Sequence, residues 1–125
     1  MLRSRLGIVL AVLLSISPLV SPLAHAQRAG SVGGCDIRRG TLCTNANLNG
    51  AQLAGVNLSN SQFTRSDLSG ADLSGATLNE ANFSSCELVG THFANASMFR
   101  INLRSARLTG AKLMDADLRS AVLQN

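Results

Sequence analysis

The sequence has no Trp or Tyr, only four Phe and two Pro, and just 14% of its residues are charged. Without Trp or Tyr the chain lacks the stacking platforms on which single-stranded nucleic acid is held, so nucleic acid is not an expected partner. Long apolar runs are also scarce. The one candidate, Leu6 to Ile16, is broken by Ser15, Ser17, Pro18, Ser21 and Pro22. It falls short of the roughly 20 residues a membrane span needs, so no span is expected in the working protein.

That run has a different meaning. Arg3 and Arg5 precede it, and Ala24-His25-Ala26 follows it. A basic start, a short apolar run and small residues around a cleavage point are the order of a secretory signal. Residues 1–26 are therefore expected to be removed, leaving a chain that begins at Gln27 and works in the periplasm or outside the cell. Arg3 and Arg5 leave with the signal, so eleven basic residues become nine against seven acidic ones, a balance of +2.

Three cysteines, Cys35, Cys43 and Cys86, remain in a chain bound for a compartment where disulfides persist. Cys35 and Cys43 flank the approach to a regular region, and Cys86 lies inside it. One bridge, Cys35–Cys43, and one buried thiol are expected. Residues 27–45 open with "QRAGSVGG", small, polar and rich in Gly, and read as a flexible linker and N-terminal cap.

From Ala46 to Asn125 the chain is one repeat with a period of five. Leu48, Leu53, Leu58 and Phe63 begin a series of sixteen centres, all Leu, Phe or Met, that ends at Leu123. With a centre called i, position i−2 is small, most often Ala; i−1 is usually polar; and i+2 is commonly Gly, Asn or Asp, the residues most tolerant of turns. A helix would spread apolar residues five apart around its cylinder, and a straight strand would alternate them between faces. The chain must instead bend once per unit, so that each i and i−2 pair faces a common axis. Val56 and Ile101, bulky for an i−2 site, are expected to bulge the coil locally.

Units such as "ADLSG", "ATLNE", "ANFSS", "AKLMD" and "ADLRS" resemble the A-[DN]-L-x-x pattern of the pentapeptide-repeat family. The resemblance covers residues 46–125 and implies an all-β fold, a right-handed quadrilateral β-helix of about four coils with four units each. Residues twenty apart then stack. Asp72, His92 and Lys112 form one column, Asp67, Glu87 and Arg107 another, and Glu80 sits beneath Arg100. One His beside one carboxylate is too few ligands for zinc, and no cofactor, metal or catalytic residue is expected. The columns read as surface charge pairs that set register. Cys86, at an i−2 site, reads as core. The triplets starting at Asn57, Asn82 and Asn95 match a glycosylation sequon only because the repeat generates it.

The expected function is that of an exported, non-enzymatic scaffold that binds another protein. The candidate surface comprises Phe99, an outward aromatic, with Arg100, Arg104, Arg107 and Arg119, since aromatics and arginines are enriched at interfaces. Self-association as a homodimer through the coil 106–125 is a further expectation. Two alternatives stand beside it. The resemblance implies a DNA-mimicking protector of an enzyme such as gyrase, although six acids and six bases leave residues 46–125 without net charge. The other is a lipoprotein anchored through Cys35.

Overall fold

The computed structural model describes residues 30–125. The expected signal segment lies outside the described residues. From Leu42 to Val122 the backbone makes parallel bridges between residues twenty apart, at every fifth position: Leu42 with Gln62, Asn47 with Asp67, Gln52 with Asp72, Asn57 with Thr77, and so on. One turn is therefore twenty residues, with four walls of one unit each. Wall A takes residues 46–50, 66–70, 86–90 and 106–110; wall B follows at 51–55 and every twenty residues after it; wall C starts at 56–60; and wall D comprises 41–45, 61–65, 81–85, 101–105 and 121–125.

The wall is only one bridge long because the chain turns a corner in every unit. At each i+2 position from Gly50 to Ser120 φ is positive, in Gly50, Gly70 and Gly90 but also in Arg65, Glu80, Ser85 and Arg100. The corner is closed by a bond such as Ala71 N–H to the Leu68 carbonyl, 2.9 Å. Between corners the amides of i and i+2 donate to the next coil and that of i−1 to the coil before. Leu68 N–H reaches Glu87, Gly70 N–H reaches Val89 and Asp67 N–H reaches Ala46, at 2.8, 2.9 and 2.9 Å.

Only the i+1 amide has no place in this ladder, and it explains the acidic or amide residue at i−1. The side-chain oxygen of i−1 folds over and accepts from it: Asp67 from Ser69 at 2.9 Å, Asp72 from Ser74 at 3.0 Å, Asn82 from Ser84 at 3.0 Å. This is an Asx turn, the habit of Asn and Asp in tight corners.

Inside, the centres from Leu48 to Leu103 are all buried, with Phe63 and Phe83 stacked at 4.9 Å between ring centroids. Besides Val56 and Ile101, the i−2 sites that are not Ala hold hydroxyls or a thiol, and three of these share one solution. Ser66 Oγ, Cys86 Sγ and Thr91 Oγ1 each donate at 2.8 Å to the carbonyl of a centre twenty-three residues earlier. Burial pushes the Cys86 thiol up to about 11. The ladder passes Val56 and Ile101 without the expected bulge: Asn57 keeps its bridge to Thr77, and Asn102 its bridges to Asn82 and Val122. Ile101 is fully buried, and the mark left by Val56 is a corner bond lengthened to 3.4 Å.

The coil starts earlier than Ala46. Leu42 pairs with Gln62, and Cys43 is a buried centre, so Thr41–Asn45 forms one more unit. A search for Leu, Phe or Met centres passes over it because a cysteine stands there. The stretch before it is not all linker. β1 (Ser31–Val32) and β2 (Cys35–Asp36) form an antiparallel hairpin that lays Cys35 and Ile37 over the open end of the core. Gly33 at the hairpin turn has φ 56°, and a Cβ there would lie 2.2 Å from the Asn47 carbonyl oxygen, so only glycine fits. Cys35 and Cys43 are paired across this seam with their Cα atoms 5.6 Å apart. The opposite end is more open. Leu108, Leu113 and Leu118 are half-buried, and Leu123 is 55% exposed.

Two outcomes are expected. Hydrogen bonds from Ser69 and from Ser74 hold Asp67 and Asp72 below the usual carboxylate range. Each therefore contributes stability that is present above the unfolded-state value and lost as pH falls through the folded one. Thermal melts from neutral pH down to about pH 3 should show a shallower decline for Asp67→Asn/Asp72→Asn, since Asn keeps the turn and cannot titrate. An unchanged slope contradicts the assignment. Separately, non-reducing peptide maps should link Cys35 to Cys43 and leave Cys86 free. Cys35→Ser/Cys43→Ser should lose about 2.5 kcal/mol on the chain-entropy account of so short a loop. A link through Cys86 would sink that pairing.

Candidate interaction surface

With the core filled by i and i−2, the chain displays its character at i−1, i+1 and the corner. Phe99 stands at i+1 of wall C, where Ser97 at i−1 is no Asx residue. Asn79, one coil below, supplies the missing acceptor: its Oδ1 takes the Phe99 N–H at 2.9 Å and the Ser97 hydroxyl at 2.8 Å. The backbone beneath the ring is thus pinned from the neighbouring coil.

The half-buried Phe99 ring lies under two guanidinium groups. Arg100 stands at the following corner with its Cζ 4.9 Å from the ring centroid, and Arg119, one coil above, lies at 5.9 Å. Arg119 is oriented by Asp117, to which Nε and Nη2 donate at 2.8 and 2.7 Å. Those bonds from Arg119 hold the Asp117 carboxyl low and raise the guanidinium. The expected Glu80–Arg100 ion pair is not among the salt bridges of the described residues, because Arg100 turns to the aromatic face instead.

Phe99, Arg100 and Arg119 are therefore brought together. Arg104 is exposed around the corner on wall D, with its amide held by Asn102 Oδ1 at 3.0 Å. Arg107 is not part of the cluster. It stands on wall A, one corner further on, and pairs with Glu87 at 3.2 Å. Proximity in sequence misled there, since three residues carry the chain past a corner. The column of Asp72, His92 and Lys112 stacks as expected on wall B. Among the described residues no three His, Cys, Asp or Glu side chains converge as metal ligands. Cys35 is buried and paired with Cys43, the opposite of what a lipid anchor requires.

One grouping was missed in the linear reading. Arg65 shares wall D with Arg104 and with Gln62, Asn82 and Asn102, residues up to 42 positions apart. Sorting the outward residues by twenties rather than by nearness in sequence is the signal that finds it.

Residues 56–125 match the family model described as the pentapeptide repeat region. A pentapeptide repeat protein of the cyanobacterium Cyanothece 51142 is 32% identical over 65% of this chain and 55% of its own, with a TM-score of 0.64. One from the thylakoid lumen of Arabidopsis thaliana is 33% identical over 62% of this chain and 55% of its own, with a TM-score of 0.61. The chain thus spans little more than half the length of either solved structure. No curated protein matches it. The twenty-residue coil, the filled interior and the match over residues 56–125 agree, and the chain belongs to the pentapeptide-repeat family.

Proposed function

We propose that the mature chain is an exported, non-enzymatic scaffold, a right-handed quadrilateral β-helix whose walls bind another protein in the periplasm or outside the cell. The observation that carries this reading is the Phe99 corner, where two guanidinium groups lie over a half-buried ring on a backbone pinned by Asn79. A preformed aromatic and arginine cluster binds with little ordering cost, and such residues dominate the energy of interfaces. The export half of the reading rests on the basic start, the short apolar run and Ala24-His25-Ala26.

The test has two parts. N-terminal sequencing of the exported protein should find Gln27 first, and soluble protein that keeps Met1 inside the cell would sink the localisation. Affinity capture from an envelope extract should retain a protein that a Phe99→Ala/Arg100→Ala/Arg119→Ala variant holds about tenfold more weakly, roughly 1.4 kcal/mol. The variant should melt close to the parent, because none of these side chains fills the core. Equal capture by both proteins would remove the corner from the function.

A further inference from the structure

Charge is shared unequally around the rod. Wall A holds Asp67 and Glu87 against Arg107, and wall B holds Asp72 and Asp115 against Lys112, so each has one more acidic side chain than Lys or Arg. Wall C balances Glu80 and Asp117 against Arg100 and Arg119. Wall D holds Arg65 and Arg104 and no acidic side chain. Residues 46–125, with six acids and six bases, thus fold into a rod with one wall whose charged side chains are all basic.

The rest of wall D is uncharged and rich in amides. Gln62, Asn82 and Asn102 stack in one column, and Asn82 Nδ2 donates to Gln62 Oε1 at 3.0 Å. Gln62 Nε2 and Asn102 Nδ2 donate to no protein acceptor among the described residues. The cations stand on the margins of this column. Arg65 and Arg104 lie on the side where the chain leaves the wall, and Arg100 on the corner where it enters. Arg65 is steadied through Nε by Asn45 Oδ1 at 3.1 Å, which leaves its terminal nitrogens free to bond outward.

We propose that wall D binds an acidic, extended segment of a partner protein. Its carboxylates pair with Arg65, Arg100 and Arg104, and its peptide groups exchange hydrogen bonds with the side-chain amides of Gln62, Asn82 and Asn102. This inference rests on the scaffold reading and names the chemistry of the partner. Amide side chains match peptide groups as both donor and acceptor, and arginine forks suit carboxylates. Nucleic acid fits less well, because wall D carries no outward aromatic ring on which bases could stack.

The exported protein, purified whole, decides the matter by fluorescence anisotropy at low salt. The probes are a labelled oligoglutamate peptide, a single-stranded DNA oligomer and an oligogalacturonate of equal charge. Arg65→Asn/Arg104→Gln, in which Asn tolerates the corner, should weaken the peptide about tenfold. Arg107→Gln/Lys112→Gln on walls A and B removes the same charge and should change it less than about twofold. Equal weakening by both pairs, no peptide binding, or tighter binding of the DNA or the glycan overturns the proposal. The two readings also separate. A captured protein released by the Phe99 corner variant but not by the wall D pair would leave the scaffold standing and sink the acidic segment.

Discussion

A coil twenty residues around has room inside for two side chains per wall, and that limit governs everything else in the molecule. The centre must be a Leu, Phe or Met that reaches the axis. Its inward neighbour is most often Ala, or hides a polar atom against the carbonyl of a centre twenty-three residues earlier as Ser66, Cys86 and Thr91 do. Only Val56 and Ile101 put a bulky aliphatic there. Each corner must then adopt a left-handed conformation every fifth residue. For Arg65, Glu80 or Arg100 this costs on the order of 1 kcal/mol apiece. The cooperative stack offsets it, since each buried Leu or Phe contributes roughly 1.5–3 kcal/mol and no coil hides its centres alone.

With the inside so constrained, the outward positions are where the fold leaves this chain a choice of residue. Even these are partly committed. The Asx residue at i−1 serves the one amide outside the ladder, so Asp67, Asp72 and Asp117 are structural before they are electrostatic. The side-chain groups that remain at liberty are those that the turn and the ladder do not use: Phe99, the arginines at or beside the corners and, on wall D, Gln62 and the Nδ2 groups of Asn82 and Asn102, whose Oδ1 atoms serve the turn. The functional reading concentrates on these because the fold makes no demand on them.

The period of five, the inward pairs and the stacking columns could all be read in the sequence, because each follows from spacing alone. Cys43 escaped as a centre because its residue type departs from the pattern while its position does not. The hairpin over the first coil escaped because Gly33 and Gly34 read as linker until the Asn47 carbonyl is seen beside them. At the surface, spacing told which residues stack but not which way a long side chain turns. Arg100 has both Glu80 and Phe99 within reach, and only the geometry shows it over the ring. Grouping by nearness in sequence placed Arg107 with Phe99 and hid Arg65 from Arg104, although the coil does the reverse.

Native-state amide hydrogen exchange, followed residue by residue by NMR, tests this ladder most directly. Across residues 66–105 the amides at i−2, i−1, i and i+2 are all bonded within the backbone, and the i+1 amides are not. Exchange should therefore repeat with a period of five, with one fast amide per unit. Asn79, Val89 and Ala94 should be fastest, while Ser69, Ser74, Ser84, Phe99 and Arg104 are slowed by their side-chain acceptors. Uniform protection, or an alternation with period two, would contradict the coil and everything built on it.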